Sequence, residues 1–134
     1  MKKRIYYHDT DCGGVVYYGN YMKFLEEARS EYLEQRGLSV KQLMNEGIYF
    51  VVYHQEIDYK YPAFYDDTLE ITTKISASSE LRTEFEYEIH NQNGKLTTKA
   101  KTVMISVDKN IRPVMLPKQL RDKLFEPVSV AVPQ

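Results

Sequence analysis

An α+β domain, with an antiparallel five-stranded sheet wrapped around one long helix, is what this sequence predicts, and three observations predict it. From Gly19 the apolar residues Tyr21, Phe24, Leu25, Ala28 and Tyr32 recur at helical spacing, with Lys23, Glu26, Glu27, Ser30 and Glu34 on the other side. After Gly47 the apolar pattern changes from helical spacing to strict alternation and keeps it for most of the remaining chain. Each strand, like the helix, carries one apolar face, so a sheet closed over a helix buries both.

Taken in order, Lys2 to His8 alternate weakly and predict a short strand that ends at the polar cluster His8-Asp9-Thr10-Asp11. Gly13-Gly14 predicts a turn. The first helix should run from about Tyr18 to Arg36, with Gly37 as its C-cap, and Ser39 with Gln42 is a capping signature for a short second helix ending near Gly47. Tyr53, Gln55, Ile57, Tyr59 and Tyr61 then oppose His54, Glu56, Asp58 and Lys60 until Pro62 breaks the run. Leu69 to Ala77 and Leu81 to Ile89 alternate in the same way. Asn93-Gly94 signals a hairpin, beyond which Val103, Ile105 and Val107 share a face opposite Met104. The four long strands are expected to form an antiparallel meander. Pro117 at a first helical position, followed by Leu120, Leu124 and Phe125, predicts a small terminal helix, and the tail to Gln134 reads as loose. Neither repeat nor linker interrupts the pattern, so residues 1–134 are expected to form a single domain. Such a sheet leaves a long edge strand, which points to dimerisation by edge pairing.

Composition narrows the function. A net charge of -1 with interspersed signs builds no field for nucleic acid or an anionic membrane. No stretch approaches the roughly 20 apolar residues of a spanning helix, so no membrane insertion is expected. One cysteine, Cys12, cannot form an internal disulfide, and the N-terminal residues lack a secretory apolar core, so a cytoplasmic location is expected. The 12 tyrosines and absence of tryptophan suit half-buried strand positions or the walls of a cavity.

Chemistry concentrates between the first strand and the long helix. Asp9 and Asp11 flank Thr10, and the helix begins near Tyr18. The free amides of a helix's first turn can hold a carbonyl oxygen that gains charge during acyl transfer, and a neighbouring carboxylate can activate water or attack directly. The same Asp-x-Asp pattern also serves capping and turns. Cys12 with His8 is a poor thiol and base pair, because Asp11 disfavours a thiolate. His8, Asp9 and Asp11 make too short a cluster for a metal site, so no metal or other cofactor is implied. His54 and His90 fall on polar strand faces. Arg82, Lys99 and Lys101 are candidates for binding an anionic substrate, although each taken singly reads as part of a solvated strand face.

The run RIYYHDTDCGGVVYYGNYMKFLEEARSEYL resembles the signature of the 4-hydroxybenzoyl-CoA thioesterase family, and especially its YbgC-like acyl-CoA thioesterases. The order of elements, and Tyr59-Lys60-Tyr61-Pro62-Ala63 with Asp66 and Asp67, extend the likeness over nearly the whole chain. The resemblance implies the hot-dog fold, active sites at dimer interfaces, a catalytic Asp11, the backbone N–H of Tyr18 as the carbonyl-polarising donor, and Tyr7 as a wall of the site. It implies CoA phosphates as the anion for Arg82, Lys99 and Lys101, and favours a homotetramer. Many YbgC-like members have histidine where this chain has Tyr18. The backbone role is indifferent to that change, since every residue but proline supplies an N–H.

The expected reaction is therefore hydrolysis of an acyl-CoA to a free acid and the CoA thiol. An acyl carrier protein as the acyl donor, and a catalytically silent acyl-binding or scaffold module, are the alternatives.

Overall fold

The computed structural model describes residues 1–126, so the tail to Gln134 falls outside the described residues. The elements are β1 (Lys2–Arg4), a 3-10 turn (Tyr7–Asp9), α1 (Asn20–Glu34), α2 (Val40–Asn45), β2 (Tyr49–Tyr59), β3 (Thr68–Ser78), β4 (Arg82–His90), β5 (Leu96–Val107) and α3 (Lys118–Leu124). The five strands form one antiparallel sheet in the order β1-β3-β4-β5-β2.

That order corrects the expected four-strand meander. Only β3, β4 and β5 follow one another across the sheet; β2 pairs with β5 and forms the far edge. The segment between Tyr59 and Thr68 therefore crosses from one side of the sheet to the other, past the start of α1.

The apolar stripe read from the sequence is the buried face of α1: Tyr21, Phe24, Leu25, Ala28 and Tyr32 share one core with Leu69, Ile71, Phe85, Tyr87 and Ile89. Both helix ends follow backbone chemistry. Gly37 has φ +75°, Gly37 N–H donates to Glu34 O, and Leu38 N–H reaches back to Leu33 O at 2.9 Å, a Schellman closure. Gly47 closes α2 in the same way, with Ile48 N–H on Leu43 O, and the Ser39 hydroxyl caps its start by accepting from Gln42 N–H at 3.0 Å. The Asn93-Gly94 hairpin also forms, with the Asn91 side chain accepting from the N–H groups of Asn93 and Lys95.

Other boundaries move. The first strand stops at Arg4 because side chains take over the backbone's hydrogen bonds: the Asp9 carboxylate accepts from Tyr6 N–H, and the Thr10 hydroxyl donates to Tyr7 O. β2 starts at Tyr49, four residues earlier than its alternation, because Phe50 to Val52 pair with β5 and a bulge between Val52 and His54 resets the faces. In β5 the helix-facing residues are Thr98, Ala100, Thr102, Met104 and Ser106, opposite Ile89, Tyr87, Phe85 and Thr83 of β4 and Phe50 of β2. Val103, Ile105 and Val107 thus lie on the reverse of the sheet, and Pro117 sits at the N-cap of α3 rather than inside it.

Candidate active site

Asp11 stands at the tip of a small antiparallel ribbon. Tyr17 N–H donates to Asp9 O at 3.1 Å, Thr10 bridges Val16, and Asp11 N–H donates to Val15 O at 2.9 Å. Cys12, Gly13 and Gly14 form its loop, closed by Gly14 N–H on Asp11 O at 3.1 Å with Gly14 left-handed at φ +75°. The loop is pinned from outside: Val16 N–H donates to Ala63 O at 2.8 Å and Tyr65 N–H to Gly14 O at 2.9 Å. Asp67 shapes that clamp by accepting from Phe64 N–H and Gln92 Nε2.

The two aspartates have different roles. Asp9 is buried, 6% exposed, and its Oδ2 closes the 3-10 turn on Tyr6 N–H. Asp11 is exposed; its Oδ1 accepts from Gly13 N–H at 2.8 Å, and no described residue donates to Oδ2. His8 contacts Asp9 at 3.5 Å and stacks on the Tyr6 ring, and Cys12 is an exposed free thiol. Among the described residues no three His, Cys, Asp or Glu side chains converge as metal ligands.

At the root of the ribbon the chain turns directly into α1. Asn20 N–H donates to Tyr17 O at 2.9 Å and Tyr21 N–H to Tyr18 O at 3.3 Å, so the helix opens with tightened 3-10-type bonds, and its regular span begins at Asn20 rather than Tyr18. In a trans peptide the N–H opposes the C=O. Since Tyr17 O faces the helix, Tyr18 N–H faces away from it, and no acceptor among the described residues takes it. Asn20, which the sequence reading passed over, ties the helix start to the ribbon through Nδ2 on Asp9 O at 2.8 Å. Its position in the first helical turn was the available signal. Asp11 and Tyr18 are separated by about three ribbon positions, roughly 10 Å at ~3.3 Å per residue.

Aromatic side chains surround the ribbon. Tyr7 is 72% exposed and meets Tyr65 edge-on at 5.8 Å; Tyr18 is 64% exposed and lies 4.7 Å from the Tyr17 ring. Tyr59, at the end of β2, donates its hydroxyl to Tyr18 O at 3.3 Å. Burial, reinforced by Tyr18, pushes the Tyr59 phenol up, and the Tyr18 side chain does the same for Tyr17 through a hydrogen bond and charge. Both phenols stay neutral near neutral pH, as a donor at Tyr59 requires.

The basic candidates lie elsewhere in the chain. Arg82, Lys99 and Lys101 belong to the sheet face turned away from α1, in register with acidic neighbours: Lys101 lies between Glu56 and Glu86, and Lys99 between Asp58 and Glu88. Arg82 and Lys101 both reach Glu84, at 3.2 Å and 3.7 Å. The chain itself brings Asp11, Tyr7 and Tyr18 into one neighbourhood and leaves these three cations outside it. His54, also exposed, contacts Glu56 at 2.7 Å.

Backbone conformation at the ribbon tip is testable. A Cβ at Gly14 would meet nothing within 4 Å, so Gly14→Ala should lose about 1 kcal/mol from the left-handed conformation alone. Gly13→Ala, whose Cβ would make an ordinary 3.4 Å contact with Asp11 Oδ1, should lose less. Urea unfolding that ranks the two variants equally would show that the loop does not need the left-handed residue.

Residues 6–124 match the family model described as the thioesterase-like superfamily. The acyl-CoA thioester hydrolase YbgC of Escherichia coli O6:H1 is 39% identical over 118 residues, 87% of this chain and 88% of that protein. The acyl-CoA thioesterase YbgC of Haemophilus influenzae is 37% identical over 120 residues, 88% of each. Among solved structures, the DHNA-CoA thioesterase of Staphylococcus aureus superposes with a TM-score of 0.85 at 31% identity, over 91% of this chain and 83% of that one. With its curled five-stranded sheet and these relatives, the chain belongs to the thioesterase-like superfamily as a YbgC-like, hot-dog-fold member.

Proposed function

We propose that this chain hydrolyses acyl-CoA thioesters, with Asp11 as the catalytic carboxylate and Tyr18 N–H as the donor to the thioester carbonyl. The observation that carries the reading is the ribbon itself, which holds an exposed carboxylate at its tip and leads at its root into an unpaired amide at the start of α1. Charge developing on the carbonyl oxygen is stabilised by that amide and by the positive end of the helix. Asp11 Oδ2, which no described residue occupies as a donor, is free to activate a water, and general-base hydrolysis is the route proposed over an anhydride. Tyr7 and its partner Tyr65 serve as an apolar wall beside the reacting group.

Arg82, Lys99 and Lys101 are the proposed contacts for the CoA phosphates, reached from a neighbouring subunit's site; Lys99 alone of the three has no ion pair among the described residues. A cytoplasmic setting, in which a lone thiol such as Cys12 stays reduced, fits the same reading. No helix among the described residues is long and apolar enough to cross a membrane.

The free 11-residue edge of β2 supports assembly by edge pairing, as a dimer or a pair of dimers. Light scattering should give at least twice the 15.8 kDa chain mass, and a fully active monomer would refute this.

Asp11→Asn should lower turnover about 10²–10⁴-fold while acyl-CoA still binds, because the amide preserves shape and removes the base. Single-turnover hydrolysis in heavy-oxygen water should place label directly in the released acid; label in the Asp11 carboxyl would establish the anhydride route instead. Wild-type turnover in Asp11→Asn would move the site elsewhere.

Tyr18→Phe should keep substantial activity, since the proposed donor is the main chain. Collapse of kcat with substrate binding intact would assign the chemistry to the hydroxyl.

A further inference from the structure

Away from the ribbon, the second half of α1, helix α2 and the start of β2 enclose a groove of about 310 Å³, at the small end of the ~300–1,000 Å³ typical of ligand sites. Its walls are largely apolar, with Leu33, Val40, Met44, Phe50, Val52 and Met104 among them, and Arg29 is the only cation among the described residues that line it. Arg29 Nη1 donates to Tyr87 Oη at 3.2 Å and to Thr102 Oγ1 at 3.4 Å, both neutral hydroxyls. No described carboxylate lies within 4.0 Å of its guanidinium, although Glu26 lines the same groove one turn earlier.

The hydroxyls are oriented to hold one edge of the guanidinium. Gln55 Nε2 donates to Lys101 O at 2.9 Å, which turns Gln55 Oε1 toward Thr102; the Thr102 hydroxyl donates to it at 2.7 Å and keeps a lone pair for Arg29. A guanidinium carries five N–H donors in a fixed fork, and Nε and Nη2 have no acceptor among the described residues. A half-buried cation facing apolar walls gains most from an anion that brings its own apolar body.

We propose that this groove is a carboxylate site: Arg29 receives the carboxylate of an amphiphilic acid whose apolar chain lies along Leu33, Val40, Met44 and Val52. Arg29 is nine residues beyond Asn20, roughly 14 Å along α1 at ~1.5 Å per residue, so within one chain the groove is distinct from the ribbon. Two sources supply this chemistry. Thioester hydrolysis releases a free acid of this kind, and an acyl-CoA held at a neighbouring subunit's ribbon presents the same group where its acyl tail ends in a second carboxylate. The inference rests on the thioesterase reading only for that supply; binding at Arg29 does not require Asp11 to be catalytic.

Calorimetric titration of the full chain with octanoate and with octanamide tests it, alongside hydrolysis of octanoyl-CoA and of its analogue bearing a terminal carboxylate. Wild type should bind octanoate saturably and at least about tenfold more tightly than octanamide, the scale of a charged hydrogen-bonded contact. Arg29→Gln should abolish that preference, Arg29→Lys should keep part of it, and Asp11→Asn should leave it unchanged. If octanoate does not bind but wild type prefers the terminal-carboxylate thioester and Arg29→Gln does not, the acid belongs to the acyl tail, which also supports the site. Absence of any carboxylate preference in wild type, its survival in Arg29→Gln, or its loss in Asp11→Asn overturns the proposal. Should Arg29→Gln fail to fold, the wild-type preference and the Arg29→Lys variant still decide.

Discussion

The arrangement depends on one backbone clamp: Val16 N–H on Ala63 O, with Tyr65 N–H on Gly14 O. These two bonds fasten the Asp11 ribbon to the segment that crosses from β2 to β3, and that segment can cross there only because β2 occupies the far edge of the sheet. Without the clamp, the eight residues between Asp11 and the span of α1 would be a surface loop whose carboxylate had no fixed relation to the helix start. The buried Asp9 and the side chain of Asn20 lock the other end of the ribbon, so both ends are held by groups that are satisfied internally.

The two sheet faces divide the chemistry. Toward α1, β5 offers small and hydroxylated residues, and these leave room for the aromatic rings of β4 and for the guanidinium of Arg29. On the reverse face, acids and bases alternate across the strands, as in the row Glu56, Lys101, Glu86, Lys74. Opposite charges in adjacent strands support pairing modestly and remain solvated. Cations in such a row are partly neutralised by their neighbours, so local charge on this face is small despite its many ionisable groups.

Relatives named as YbgC and DHNA-CoA thioesterases place the chain in a family whose members handle thioesters. The residue roles proposed for it rest instead on the geometry, because a fold shared among enzymes with different acyl groups does not assign them. Asp11 and Asp9 make the point. They are two residues apart and chemically alike, yet one closes a turn in the interior and the other projects into solvent.

By itself the sequence determined what is local: the apolar stripe of α1, the glycine closures after both helices, the Ser39 cap, the Asn93-Gly94 hairpin and the aspartates before a helix start. These follow from periodicity and from side-chain or backbone bonds spanning a few residues. Only the tertiary structure decided where β2 pairs, because an edge assignment depends on partners 39 to 58 residues away, from Tyr59 with Thr98 to Tyr49 with Val107. It also decided which face of β5 meets α1. Val103, Ile105 and Val107 are the more hydrophobic set, but the ring-bearing residues of β4 and the Arg29 side chain need Ala100, Thr102 and Met104 beneath them. Space and hydrogen bonding under the helix selected that face, while Val103 and Val107 are buried on the reverse one, and no pattern within a single strand records the difference.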